Sequence, residues 1–223
     1  MARKSILNDT EGTRQALIRA GLDLFGRNGF DATSTREIAQ AAKVNSAGIA
    51  YHFGGKDGLR QACAEAIIAR IQAVLMGGAP GSVITIDAAD RDFAAEQLLS
   101  LIDRMVVFLT TAPESEMIAR FVVREMFTPS PAFDTIYGGL FAPVHRRVCQ
   151  VWAAATGMDP EAPATKLAVF AAIGQVLYFR IARPAVTRRM GWDEIGPTEA
   201  GAITETIRRS LRASILACRG EAS

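Results

Sequence analysis

An all-α fold is predicted, and three observations carry it. Apolar residues recur three and four apart through every long segment, glycine and proline punctuate those segments, and two short segments near the N-terminus carry start signals for helices. About nine helices follow, in two parts: an N-terminal three-helix domain of helix-turn-helix type over residues 1–58 and a larger helical domain over 59–223.

The first helix is predicted from about Glu11 to Asn28, with Leu17, Ile18, Gly21, Leu22 and Phe25 as its inward stripe and Asn28-Gly29 as its stop. Phe30 then seals the base of the small core. Ser34 is the N-cap of the second helix, and Glu37, three residues on, reaches back to the Ser34 amide to complete a capping box. Ile38, Ala39 and Ala42 share one face of it. The turn is Ala42-Lys43-Val44, after which Asn45 caps a third helix and Val44 and Ile49 are placed to staple its entry. With Ile49 and Phe53 facing inward, the small or hydrogen-bonding Ser46, Ala47, Gly48, Ala50, Tyr51 and His52 are left at the helix N-terminus or its outer face, where they suit a DNA groove. Gly54-Gly55 permits close backbone approach, and the fourth helix, Lys56 to Leu75, offers free N–H groups and the Lys56 ammonium to a phosphate.

Residues 77–89 read as a loop, including the apolar run Ser82 to Ile86. A fifth helix runs from Arg91 with Phe93, Leu98, Leu101, Ile102, Met105, Phe108 and Leu109 on a wide apolar face, and Pro113 opens a sixth carrying Met117, Ile118, Phe121, Val122, Met126 and Phe127. After Thr128-Pro-Ser-Pro a long seventh helix is predicted from Ala132 to Thr156, bent near Gly138-Gly139 and Pro143. Pro163 opens the eighth, read as a buried helix with Leu167, Phe170, Gly174, Leu177 and Ile181 on one stripe and disturbed at its far end by Pro184. The ninth, from Pro197 to Cys218, spaces Ile203, Ile207, Leu211 and Ile215 four apart.

At 223 residues and 49% hydrophobic content the chain can bury a substantial core. A net charge of +2 is too small for coating nucleic acid by a global field, so DNA binding has to rely on a local surface, with Arg3, Lys4 and Arg14 contributed by the N-terminal arm. Cys63, Cys149 and Cys218 are odd in number and lack metal-ligand spacing, which argues against a disulfide framework, a zinc site or any other metal, and fits a reducing cytoplasm. No cofactor is expected. Met1 to Thr13 lacks the apolar core of a signal peptide, and the apolar stretch Leu167 to Ile181 is interrupted by Gln175 and Arg180, so no membrane segment is expected.

The pair of short helices resembles the DNA-binding domain of TetR-family transcriptional regulators, whose pattern of Thr-x-x-Ile-Ala, a turn, and Tyr-x-Phe-x-x-Lys is met by Thr35, Ile38, Ala39, Tyr51, Phe53 and Lys56. Lys43 departs from it, standing in the turn where the family usually has glycine, and a left-handed conformation there costs on the order of 1 kcal/mol. Phe121 to Asp134, with Pro143 downstream, is similar to the effector domain of the CecR (YbiH-like) subgroup, as are Ile49 to Lys56 and Leu59 to Ala64. The resemblance implies an all-helical homodimer: a repressor bound to a palindromic operator and released by a small-molecule effector.

Ser34, Thr35, Arg36, Asn45, Ser46, Ala47, Gly48, Tyr51, His52 and Lys56 are the expected DNA contacts. Met105, Phe108, Met117, Phe121, Arg124, Tyr137, Phe141 and His145 are candidates to line an effector pocket, because Met and aromatic side chains on consecutive helices form either plain core or an adaptable cavity wall. Phe170, Gly174, Leu177, Ile207 and Leu211, with small Ala171 and Ala172, are the expected dimer interface. His145 and Cys149, four apart, have the spacing of an activated thiol but no third orienting group, so no catalytic residue is assigned. Two other readings stay open: an enzyme using a C-terminal cavity with the N-terminal domain as a localising module, and a DNA-binding dimer with no effector.

Overall fold

The computed structural model describes residues 2–75 and 90–221. Among them it contains helices and no strand: α1 (Ala2–Asn28), α2 (Thr35–Ala42), α3 (Ala47–Phe53), α4 (Lys56–Leu75), α5 (Arg91–Thr111), α6 (Ser115–Phe127), α7 (Pro131–Ile136), a π-helical turn (Tyr137–Phe141), α8 (Ala142–Thr156), α9 (Pro163–Ile181), α10 (Arg183–Met190) and α11 (Pro197–Glu221). The loop expected over 77–89 and the side chains of Arg3 and Lys4 lie outside the described residues.

Two expected helices are each divided. The bend expected near Gly138-Gly139 is the π turn, which separates α7 from α8; Pro143 falls harmlessly in the first turn of α8, where no backbone amide is needed. Pro184 likewise opens a separate α10 after the short break at Ala182. The first helix reaches further toward the N-terminus than the expected start at Glu11.

The described chain forms two compact units, and they do not follow a single cut at 58/59: one comprises residues 1–70 and 116–139, the other 71–115 and 140–223. In the first, Leu17, Leu22 and Phe25 of α1 are buried with Ile38 of α2, Ile49 of α3, Leu59 and Ile67 of α4, Phe121 of α6 and Ile136 of α7. Each such side chain stabilises the fold by about 1.5 to 3 kcal/mol relative to exposure. Gly21 lies so close to α4 that an added Cβ would stand 3.1 Å from Cys63 Sγ, and Gly26 meets Arg120 on α6 in the same way. These two glycines set the spacing of three helices.

In the second unit α5 packs on α8, α9 and α11. Trp152 and Val151 of α8, Val106 of α5 and Ile207 of α11 are among its largest fully buried side chains. Ion pairs line the seam of α11 and α5: Arg208 to Asp103 at 2.6 Å, Arg208 and Arg212 to Glu96 at 3.0 Å, and Arg219 to Asp92 at 2.8 Å. The hydrogen bond from Arg212 holds the Glu96 carboxyl below its ordinary range. Arg208 and Arg219 are largely covered in this seam, and their partly exposed pairs fix the register of α11 on α5.

Candidate DNA-reading surface

The local signals of α2 and α3 are present as geometry. Ser34 Oγ accepts the Glu37 amide at 3.2 Å while Glu37 Oε2 accepts the Ser34 amide at 2.7 Å. These hydrogen bonds from Ser34, with the Lys56 charge adding to them, hold the Glu37 carboxyl below its usual range. Lys43 ends α2 in the left-handed conformation (φ 57°, ψ 40°), and among the described residues no other non-glycine has a positive φ. Its amide closes on Gln40 O and the next amide, of Val44, on Ala39 O, so the turn is satisfied although its residue is strained. Asn45 Oδ1 accepts the Ala47 amide at 2.9 Å, the capping role expected of it, with Ser46 already helical.

Ile49 and Gly48 turn toward α1: Ile49 is buried, and an added Cβ on Gly48 would sit 3.6 Å from Leu17 Cδ1. Gly48 therefore serves packing, and the outer face is left to Asn45, Ser46, Ala47, Ala50 and Tyr51, all exposed, with Thr35 and Arg36 exposed at the start of α2. Tyr51 is 80% exposed. His52 is half-buried and meets the Tyr51 ring edge-on at 4.9 Å. A large aromatic standing free on a short capped helix, beside small side chains, can enter a groove with little desolvation cost.

At the start of α4, Lys56 Nζ lies 4.2 Å from the centroid of Phe30 and the Arg60 guanidinium 4.6 Å from the same centroid. Gly58 is needed here for a reason the sequence reading missed: an added Cβ would overlap the Phe53 carbonyl oxygen at the end of α3. A glycine inside the first turn of a helix was its signal. Arg60 was missed as well, although it stands one helical turn after Lys56. It pairs with Glu125 of α6, Nε and Nη2 each 2.7 Å from Oε1, and Ser130 Oγ donates to Glu125 Oε2 at 2.6 Å.

The effector candidates have other neighbours. Met117, Phe121, Arg124 and Tyr137 belong to the first unit, and Met105, Phe108, Phe141 and His145 to the second. Phe121 is buried against Phe25, with ring centroids 6.5 Å apart. Arg124 donates from Nη2 to Arg27 O at 2.9 Å and from Nε to Gly26 O at 3.3 Å, which caps the last carbonyls of α1 instead of presenting an anchor to an anion. Met105, Met117, Phe141 and His145 are half-buried, Phe108 is buried and Tyr137 exposed. His145 stacks on Phe170 with centroids 4.0 Å apart, and its Nε2 lies 3.2 Å from Lys166 O. Its Nδ1 is 3.6 Å from Cys149 Sγ. Burial, with Glu161 adding to it, pushes the Cys149 thiol up, the opposite of thiolate activation, and Cys63 is pushed up likewise by burial and then by Glu125.

The interface candidates divide sharply. Ile207 and Leu211 are 2% and 3% exposed in the single chain, so they are core and not interface: α11 turns this stripe toward α5. Phe170 is 60% exposed, Gly174 is exposed and Leu177 half-buried. The expectation that α9 is a buried helix is corrected too. Thr165, Val169, Ala172 and Val176 are covered, but Leu167, Phe170, Tyr178 and Ile181 form an exposed apolar stripe at helical spacing. By length and composition α9, taken from Pro163 to Ile181, is apolar enough to cross a bilayer, a test that core helices of globular proteins also pass. Its covered face against α5 and α8 is what a core helix of a globular unit has.

Comparison with known proteins gives two family profiles on this chain. "Bacterial regulatory proteins, tetR family" matches residues 17–63, and "HTH-type transcriptional dual regulator CecR, C-terminal domain" matches residues 94–218. The HTH-type transcriptional dual regulator CecR of Shigella flexneri is 31% identical over 198 residues, 88% of each chain. The regulatory protein RaaS of Mycobacterium tuberculosis is 44% identical over 61 residues, 27% of this chain and 28% of RaaS. Among solved structures, AibR in complex with isovaleryl coenzyme A and operator DNA superposes with a TM-score of 0.63 at 14% identity, covering 88% of this chain and 96% of AibR. HlyIIR, a hemolysin II transcriptional regulator, gives a TM-score of 0.55 at 18% identity, covering 88% of this chain and 97% of HlyIIR.

Proposed function

The chain belongs to the TetR family of bacterial transcriptional regulators and to its CecR subgroup, and from that premise we propose that it is a repressor that binds a palindromic operator as a homodimer and is released by a small-molecule effector. The family is one of DNA-binding regulators and not of enzymes. Operator recognition falls to residues 1–58, through Ser34, Thr35, Arg36, Asn45, Ser46, Ala47, Tyr51 and His52 at the groove and Lys56 at a phosphate; dimerisation and effector response fall to residues 59–223. The observation that carries the reading is the outer face of α3, a capped short helix whose large free side chain is Tyr51 among small neighbours. DNA as the partner places the protein in the cytoplasm.

Support for the dimer is the uncovered apolar stripe of α9, which the single chain leaves in water together with Leu216 of α11. Two copies related by a two-fold axis cover such a stripe, with Gly174, where an added Cβ meets nothing within 4 Å, leaving room for close approach. Support for the effector is the kinship of fold with AibR, crystallised with a small molecule and operator DNA together. Recovery of bound genomic DNA followed by footprinting tests the whole reading. It should show two half-sites spaced by one helical turn, about 10 to 10.5 base pairs, or a multiple. Protection of a single, non-repeated site would overturn the dimeric operator. Calorimetry of a candidate effector with and without operator tests release: linkage requires the two ligands to weaken each other by the same factor, commonly about 5- to 150-fold.

A second reading, control of both signs, is favoured by one observation: the Shigella flexneri relative is named a dual regulator. Reporter fusions to each recovered site, with and without the gene for this chain, separate the two.

A further inference from the structure

Lys56 is held in an unusual way for a phosphate contact. Among the described residues it makes no contact ion pair, although its charge acts on the Glu37 carboxylate, and its ammonium rests on the Phe30 ring. A cation on an aromatic face keeps its charge and leaves N–H donors for a phosphate, whereas one paired to a carboxylate has to break that pair before it meets a phosphate. The position of Phe30 therefore decides where the charge stands.

One turn of α6 converges on that ring from three directions. Phe121 packs on Phe25, whose ring centroid is 5.5 Å from that of Phe30. Arg124 holds the carbonyls of Gly26 and Arg27, three and two residues before the left-handed Gly29 that aims the chain at Phe30, and an added Cβ on Gly29 would stand 2.9 Å from Arg124 Nη1. Glu125, 3% exposed, fixes Arg60, whose guanidinium lies over the same ring as Lys56. Ser130, the N-cap of α7, donates to the other oxygen of Glu125 and keeps it aimed. Arg60 and Lys56 are one helical turn apart and carry like charge. Neutralising Arg60 with Glu125 allows both cations to share one ring.

We infer that Phe30 is the positioning residue for the phosphate contact of Lys56, and that Glu125, through Arg60, sets it from α6. This deepens the DNA-binding reading and rests on it. It gives the effector response a concrete lever: a displacement of α6 moves the shelf under Lys56 before it moves the recognition helix. DNA affinity then falls through the sequence-independent, salt-dependent part of binding first.

The test is the slope of log affinity against log salt for the full-length protein on operator and on unrelated duplex of equal length. Lys56→Ala should lower the slope by about 1 on both. Phe30→Leu keeps bulk and removes the ring, and Glu125→Gln keeps shape and removes the charge; each should lower the slope by about 1 and affinity by about three- to tenfold near 0.1 M salt, equally on both duplexes. Each combined with Lys56→Ala should add nothing further to the slope. Phe30→Tyr, which retains the ring face, should restore it. A purely structural role predicts instead a lower melting temperature, an unchanged slope, and losses that add to those of Lys56→Ala; that pattern overturns the inference. If Glu125→Gln fails to fold, the Phe30→Leu and Phe30→Tyr pair decides alone. An unchanged slope for Lys56→Ala itself would remove the phosphate contact and the positioning proposal with it, while leaving the Tyr51 face to be judged on operator specificity.

Discussion

α3 and α9 each leave one face uncovered in the single chain, and the chemistry of those faces is opposite. On α3 and its cap the exposed side chains are short, Asn45, Ser46, Ala47 and Ala50, around one tyrosine; on α9 they are Leu167, Phe170, Tyr178 and Ile181. Exposure is thus common to both and says nothing of the partner. A nucleic acid offers phosphates and base edges, which reward hydrogen-bond donors and small side chains that admit close approach. A second copy of the chain offers apolar surface, which rewards area removed from water at about 25 cal/mol per Å². The two faces also differ in support. α3 is held by caps, a strained turn and glycines; α9 is held by packing on α5 and α8.

The largest expected effect tests whether the covered stripe of α11 really differs from the uncovered stripe of α9. Leu211→Glu buries an unpaired charge and should cost more than about 4 kcal/mol, so circular dichroism should show loss of the cooperative transition. A folded protein with an unaltered melting temperature would mean that Leu211 is at the surface. Phe170→Glu, by contrast, should leave the helical signal intact while sedimentation shows monomer, and operator affinity should fall by about 100-fold as the two heads are uncoupled. An undiminished dimer would move the interface off α9.

On the α3 side, Tyr51→Ala should weaken operator binding by about 1 to 3 kcal/mol without altering the dimer or binding to unrelated DNA. Equal loss on both DNAs would make Tyr51 a backbone contact and not a reader. Lys43→Gly removes left-handed strain but loosens the unfolded chain, and the difference should stabilise the protein by up to about 1 kcal/mol. Calorimetric melting checks the sign, and a fall in melting temperature would show that the Lys43 side chain contributes more than its backbone costs. The smallest effect concerns the capping box. Glu37 has a lowered pKa in the folded chain, so its contribution is present above the unfolded carboxyl value near pH 4.5 and is lost as pH falls through the lower folded value. Glu37→Gln should flatten that part of the stability profile and leave neutral pH little changed; an unaltered acid limb would mean that the box does not couple to folding.

How legible each region was follows from the range of the forces that build it. The cap at Ser34, the role of Asn45, the left-handed Lys43 and the inward Ile49 are set by groups within a few residues of one another, and each was readable. α11 shows the other case. Its Ile203, Ile207, Leu211 and Ile215 announce an apolar stripe, yet whether α5 or a second copy covers that stripe is decided by how α5, α8 and α9 pack, which no local spacing records.

What the amino-acid sequence determined by itself is therefore the helical class, the caps of α2 and α3 and the reading pair, because capping, backbone preference and 3.6-residue periodicity act over one or two turns. The assignment of faces was left to tertiary structure. Arg124 reads as a pocket candidate until α1 supplies the carbonyls of Gly26 and Arg27, and nothing local marks Glu125 until Arg60, 65 residues earlier, comes to lie against it. Partners so far apart in the chain meet only when the whole unit packs, and long-range packing is the term that the order of residues does not display.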